Sequence, residues 1–392
     1  MLFRSPAQRI YFGEDSLAML GRELEREACT RAVIVCGASL VRHPEAFASV
    51  RDALGSRFAG AFTKVQAHSP LPVVQEAARE LLRLRADAVI AVGGGSAIVT
   101  ARAASILAAE GTAQGIVEAA DARQLCTRRG PDGRMASPKL NAPKHPQFVV
   151  LTTPTTACVK AGSAVFDPAA SVRLAMYDPK TRARAVFLHP RLLATAPPQL
   201  VLSASMNTLI MAVEGLESSF GNPMSEGLLM QALRLLSRQL PLGIADDATA
   251  RGELALAAIL CGQGTEFGGG GLASALGHAI GARHEVENGI ASAILLPHTM
   301  RFNADATEDR AASIAIALGC REIGGSRAIQ AAAVVEELLS RLSLPRRLRD
   351  VGLPREALTA IAEHAMDDWF LQKNPRPVRG VAELGELLHL AW

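Results

Sequence analysis

At 392 residues the chain is long enough to bury a large core in one or two domains. Its 41 Lys and Arg nearly balance 38 Asp and Glu, leaving a formal charge of +3. The basic residues are scattered rather than gathered into a stripe or run, so no nucleic-acid or membrane partner is expected.

The N-terminal "MLFRSPAQRIYFGEDS" lacks the apolar stretch of a signal peptide, and no later apolar run is expected to reach the length of a membrane span. "RAVIVCG" (31–37) and "ADAVIAVGGG" (86–95) are short β-branched runs ending in glycine, the pattern of buried parallel strands. Between them "PVVQEAARELLRLR" (72–85) has the apolar spacing of an amphipathic helix. "QFVVLTTPTT" (147–156) reads as a strand that opens into a polar loop, and "ARAVFLHP" (183–190) as the last strand of this half. Residues 1–190 are therefore expected to form a doubly wound α/β domain on a mostly parallel sheet, with its ligand crevice at the strand C-termini. Within it, 120–146 is long, polar and rich in Arg, Pro and Gly, a surface excursion or a flap over the crevice. From 191 the signal becomes helical, in "SEGLLMQALRLLSRQL" (225–240), "RGELALAAILCGQ" (251–263), "EDRAASIAIALG" (308–319) and "IQAAAVVEELLSRL" (329–342). Residues 191–392 are expected to form an all-α domain. The six cysteines, Cys29, Cys36, Cys126, Cys158, Cys261 and Cys320, form no CxxC pair, which fits a reduced, cytoplasmic protein.

Three stretches carry chemistry. "AVGGGSAIVTARA" (91–103) follows a strand and opens a helix. Gly93, Gly94 and Gly95 let the backbone approach a ligand, and Ser96 is placed to cap the helix, whose N–H groups and dipole make a pyrophosphate seat. The alternative is a tight strand-to-helix turn. "LTTPTTACVKAGSAV" (151–165) offers hydroxyls at Thr152, Thr153, Thr155 and Thr156, which either satisfy turn backbone or bind a nucleotide. In "GGLASALGHAIGARHEVENGIASAILLPHTMRFN" (270–303), His278 follows Ser274 by four residues and Asn288 follows it by fourteen. In 203–218, Asn207 and Met211 share one helix face, a turn apart.

Taken together and in order, these stretches resemble the iron-containing alcohol dehydrogenase superfamily, including its maleylacetate reductase branch. "RIYFGEDSL", "VIAVGGGSAI", "TTPTTA" with "AGS", "LLATAPPQLVLSASMNTLIMAVEGLESSFGNP", "GLASALGHAIGA" with "NGIASAILLPHTMRFN", and a late "NPRPV" carry the resemblance over nearly the whole chain. It implies a dinucleotide-binding domain and a helical substrate domain, with substrate and nicotinamide meeting in a cleft between them. It also implies NAD(H) or NADP(H) as cofactor, a small carbonyl or alcohol substrate, and a homodimer. The cofactor residues it implies are Gly37, Gly93, Gly94, Gly95, Ser96, Thr153, Thr155, Thr156 and Ser163.

The departures from the family are as informative as the match. The family's metal is held by Asp and His four apart, then by two His fourteen apart, and those places fall on Asn207, Met211, Ser274 and Asn288. None of the four is a good ligand for iron or zinc, so no metal is expected. Val99 and Arg102 stand where relatives carry Asp and Lys, and Gly37 stands where many place an acidic residue. Loss of that carboxylate permits a 2′-phosphate, with Arg42 nearby to assist. The loop at 155–163 places Cys158 and Lys160 beside the expected nicotinamide pocket, Lys160 being either a surface lysine or a cation that replaces some of the missing charge.

The function expected is reduction of an activated carbonyl, a keto acid or aldehyde, without a metal. Asn207, Ser274 and Asn288 would supply neutral hydrogen bonds to the developing oxyanion, Lys160 charge, and His278 the proton. The alternatives are a pseudoenzyme or nucleotide-binding protein, and a non-redox synthase or lyase on the same scaffold.

Overall fold

The computed structural model of the chain describes residues 7–111, 119–130, 135–170, 172–266, 268–320 and 324–392. It resolves into two compact units, one running to Ala196 and the other from Pro197 to Trp392.

The first unit is built on a six-stranded parallel sheet in the order β1-β10-β7-β4-β2-β3. Its members are β1 (Arg9–Phe12), β2 (Ala32–Gly37), β3 (Phe58–Val65), β4 (Ala88–Gly93), β7 (Gln147–Leu151) and β10 (Ala185–Leu188). The four central strands are buried along nearly their whole length, so Val, Ile, Phe and Leu can fill both faces. One face packs Ile34, Cys36, Ile90, Val92, Phe148, Val150 and Phe187 against Leu20, Leu24, Val50 and Leu54. Those last four come from α1 (Leu20–Arg26) and α3 (Pro44–Leu54), with the short α2 (Ala38–Val41) between β2 and α3. Each such aliphatic side chain contributes about 1.5–3 kcal/mol on burial. Helices α4 (Leu71–Arg83) and α5 (Gly95–Glu110) complete the β-α-β crossovers.

The 120–146 excursion is stitched down rather than loose. After α6 (Ala119–Ala122), Arg123 pairs with Asp167 at 2.7 Å and Thr127 N donates to Ala175 O at 2.7 Å. Strands β5 (Arg128–Arg129) and β6 (Met135–Ala136) pair with each other, and residues 131–134 lie outside the described residues. Beyond them the buried Lys144 ammonium binds Glu110 at 2.5 Å and Asp178 at 3.2 Å. The anchor for this segment is an antiparallel hairpin, β8 (Gly162–Asp167) with β9 (Val172–Tyr177). The unit closes with α7 (Pro190–Leu193).

The second unit is helical: α8 (Pro198–Glu217), α9 (Pro223–Ile244), α10 (Ala248–Gly264), α11 (Leu272–His284), α12 (Asn288–Ala317), α13 (Arg327–Arg341), α14 (Leu358–Ala365) and α15 (Val381–Ala391). Local chemistry sets several starts. Asn222 caps α9 through Met224 N and Ser225 N, with Pro223 at the first turn, and Asp247 accepts Ala250 N at the start of α10. Helix α8 corrects one expectation, because by length and apolarity alone it is sufficient to cross a bilayer. Yet 72% of its most apolar window is buried inside the unit, the signature of a core helix.

Candidate active site

Order in the sheet reverses between β2 and β4, because β2 leads outward to β3 whereas β4 leads the other way to β7 and β10. In doubly wound sheets, ligands bind at the strand C-termini beside such a reversal. Gly37 ends β2, Gly93 ends β4 and Thr152 follows β7, so three neighbouring strands deliver the expected cofactor residues to one end of the sheet. Thr152 N donates to Gly93 O at 3.1 Å, joining two of the loops.

Helix α5 begins at Gly95 with Gly94 as N-cap and no capping side chain among the described residues. Its first N–H groups, with the positive end of the helix dipole, are an anion seat. Ser96 is not the cap expected from the sequence: it lies inside the first turn, where its side chain cannot reach forward to the orphan donors, and its carbonyl accepts from Ser69 Oγ at 3.1 Å. At Gly94 a Cβ would sit 2.4 Å from Thr153 Oγ1, so only glycine lets the two loops approach. Thr155 Oγ1 accepts from Ala157 N at 3.3 Å, capping the turn Thr156–Val159. Ser163 lies in β8, buried, its hydroxyl without a hydrogen-bond partner among the described residues.

The loop beyond is held by its carbonyls. The buried Arg102 guanidinium donates to Gly162 O at 2.5 Å and Ala157 O at 2.7 Å, Gln8 Nε2 donates to Cys158 O at 3.1 Å, and Arg182 binds Val159 O. Burial pulls the Arg102 guanidinium down to about 10. Arg102 therefore acts as an internal clamp on the 157–162 loop. Cys158 is fully buried, donates to Thr155 O at 3.0 Å, and has its thiol pushed up to about 12 by burial, so it is packing rather than a nucleophile. Lys160 is half-buried on the same loop.

In the helical unit, α8, α11 and α12, which carry the remaining candidates, pack on one another. Asn207 is exposed on α8, with Met211 half-buried one turn further on. The next position on that face is Glu214, which is buried. Its carboxylate accepts Ser274 N at 2.9 Å and Ser274 Oγ at 2.5 Å, so it caps α11 from a neighbouring helix. Desolvation pushes the Glu214 carboxyl up, opposed by its hydrogen bonds from Ser274, Gly271 and Ala273. The sequence reading gave Ser274 a hydrogen bond to the substrate oxygen; its hydroxyl proton goes instead to Glu214. Asn288, at the first turn of α12, lodges its amide oxygen against Gly281 of α11, where it is buried without a hydrogen-bond partner among the described residues.

His278 lies on α11, one turn beyond Ser274. Its Nδ1 meets Asp368 Oδ2 at 2.8 Å, and its ring packs on Phe370 with centroids 5.3 Å apart. Asp368 belongs to the segment between α14 and α15, which crosses the start of α11. Asn374 Oδ1 accepts Leu272 N at 3.3 Å and Asn303 Nδ2 at 3.1 Å, and Asn303 Nδ2 also donates to the buried Glu217 at 3.1 Å. Glu214, Asp368 and Asn374 were given no role by motif reading, although Glu214 and Asn374 lie within stretches that carry the family resemblance. Glu214 carried a usable signal, an acid three residues from Met211 on an apolar helix face. Asp368 carried little, being one of two adjacent aspartates in a polar stretch.

The four positions that the resemblance assigns to metal ligands do not carry donors that suit iron or zinc. They supply an exposed amide, a thioether, a hydroxyl committed to Glu214 and an amide wedged against a glycine. An iron or zinc ion needs imidazole, thiolate or carboxylate donors. No group of three or more His, Cys, Asp or Glu comes together as a cage among the described residues.

Residues 7–190 match the family model described as iron-containing alcohol dehydrogenase, and residues 201–392 match that of the Fe-containing alcohol dehydrogenase family, C-terminal. The chain is 30% identical to lactaldehyde reductase of Escherichia coli (strain K12) over 388 residues, 97% of each chain. It is 25% identical to maleylacetate reductase of Burkholderia cepacia over 380 residues, 96% of this chain and 94% of the relative. Among solved structures, a 1,3-propanediol oxidoreductase superposes over 100% of both chains with a TM-score of 0.88 at 24% identity.

Proposed function

Because the chain belongs to the iron-containing alcohol dehydrogenase family, we propose that it is an NAD(P)H-dependent oxidoreductase that reduces a small activated carbonyl to the alcohol without a metal ion. The observation that carries the metal-free part is Ser274, a hydroxyl tied to a buried carboxylate at a position where the family places an imidazole. Relatives named for lactaldehyde and for maleylacetate support an aldehyde or keto acid as the substrate class.

The cofactor fits the α/β unit. The uncapped N-terminus of α5 and Gly93, Gly94 and Gly95 would seat the pyrophosphate, and Gly37 leaves room for a ribose 2′-phosphate. Thr153, Thr155, Thr156 and Ser163 would line the remainder, on the loop that Arg102 clamps. When bound, the reduced nicotinamide supplies the hydride. On the family resemblance, Asn207 and Asn288 would serve as neutral hydrogen-bonding groups for the developing oxyanion, Lys160 as a source of positive charge and His278 as the proton donor. A site of neutral dipoles is a weaker electrophile than a dication, which favours carbonyls already activated by a neighbouring group.

Fluorescence titration with NADH and NADPH, followed by oxidation of the bound dinucleotide by a panel of keto acids and aldehydes, tests this reading. Saturable binding of at least one dinucleotide and turnover of at least one carbonyl are expected. Binding without turnover of any carbonyl favours a nucleotide-binding protein, and absence of both ends the proposal. In the same single-turnover assay, Lys160→Ala slows hydride transfer; an unchanged rate removes Lys160 from the mechanism.

A further inference from the structure

We propose that Asp368 is a positioning residue for proton transfer, holding His278 in the one tautomer and orientation in which Nε2 meets the substrate oxygen. The inference rests on the reductase reading above and adds to it a residue from the far end of the chain.

Both oxygens of Asp368 are engaged. Oδ2 faces His278 Nδ1 at 2.8 Å, and Oδ1 accepts Phe370 N at 2.9 Å. A carboxylate pinned by its own backbone cannot turn away from the ring. Since an ionised carboxylate only accepts, the Nδ1 proton must stay on the imidazole, and exchange with a substrate is confined to Nε2. Phe370 fixes the plane of the ring from one side and is itself wedged against Gly270, where a Cβ would sit 2.6 Å from the phenyl ring. The ring is further fixed by its helix, because Glu214 caps α11 one turn before His278. The two side chains are only 17% and 11% exposed, so the pairing is shielded while a route to solvent remains.

During reduction, hydride adds to the carbonyl carbon and the π pair moves onto oxygen. That oxygen takes the proton from Nε2 of the imidazolium, forming O–H as N–H breaks, and the N–H electron pair stays on the ring. The imidazole is left neutral with its proton still on Nδ1 and donated to Asp368, and water returns the lost Nε2 proton. Without a metal to hold the alkoxide, this donor must be in place as the charge develops.

The test compares wild type with Asp368→Asn and Asp368→Ala in the full chain, using the imidazole nitrogen and proton resonances of His278, assigned with His278→Gln. Wild type shows the neutral ring protonated at Nδ1. In Asp368→Asn the carboxamide can donate to Nδ1 and push the proton to Nε2, so the tautomer reverses and kcat falls by about 10²–10⁴-fold. NAD(P)H affinity and thermal midpoint stay close to wild type in that variant, and Asp368→Ala loses kcat without enforcing the opposite tautomer. An Nδ1 tautomer that persists in Asp368→Asn, or a kcat indifferent to it, overturns the proposal, as does a loss of kcat that tracks only a fall in stability. The tautomer is read without turnover, so a wild-type protein that reduces no carbonyl sinks the reductase reading while the resonances still decide the pairing.

Discussion

Glu217 shows what a single buried acid does to this molecule. It lies one turn after Glu214 on α8, receives Asn303 Nδ2, and burial pushes its carboxyl up to about 8. The folded chain thus holds a proton that the unfolded chain releases near the ordinary value of 4.5. The native state binds more protons across that interval, so this group's contribution is complete below the unfolded value and is lost as pH rises through about 8. Glu217→Gln keeps an acceptor for Asn303 and has no proton to lose. Between pH 6 and pH 9 the thermal midpoint of wild type should therefore fall by on the order of 5 °C more than that of the variant. Parallel melting curves would show that Glu217 stays charged in the fold. At this scale the sequence was readable where a residue type sits in a motif, as with His278 and Gly94. It showed Glu214 only as an acid on an apolar helix face and was silent on Asp368, and the meaning of each depends on a partner, 60 and 90 positions away respectively.

Among the elements, the contact of α8 with α12 depends on the absence of a side chain. A Cβ on Gly289 would lie 2.0 Å from Ser203 O, a backbone atom that cannot move aside alone. Gly289→Ala should cost about 1–3 kcal/mol or more and lower the melting temperature, with the polar N-terminus of α12 displaced. Gly227→Ala, in α9 with nothing within 4 Å of its Cβ, should instead raise it slightly, since helix propensity is then the only effect. Equal responses from the two would refute the packing argument. Strands β2, β4, β7 and β10 were legible because buried parallel strands are apolar runs. Strand β3, "FAGAFTKV", was not, because its residues are mostly half-buried and its pattern is broken by Gly60 and Lys64. The β8–β9 hairpin was hidden for a related reason, since it alternates buried and half-exposed residues at a distance from the main sheet.

For the whole molecule, the distinctive expectation concerns metal. A purified sample should contain no stoichiometric iron or zinc by elemental analysis, and EDTA should leave both its melting temperature and its NAD(P)H oxidation unchanged. Tightly bound metal together with loss of both on chelation would refute the metal-free reading. The family was legible from the order of its motifs, and both halves match its models. The donor set at 207, 211, 274 and 288 rests on motif spacing in the sequence alone. The engagement of Ser274 by Glu214 was not legible there, since it required the packing of α11 on α8.

The segment that crosses α11 has a consequence for how the protein is made. Leu272 meets Asn374 across 102 positions, and His278 meets Asp368 across 90. A ribosome therefore finishes α11 long before it reaches the residues that tie it down, and a nascent chain interrupted short of 368 carries the histidine without its carboxylate. Premature termination late in translation would leave a polypeptide with most of its helices encoded and its His278 ring unaligned.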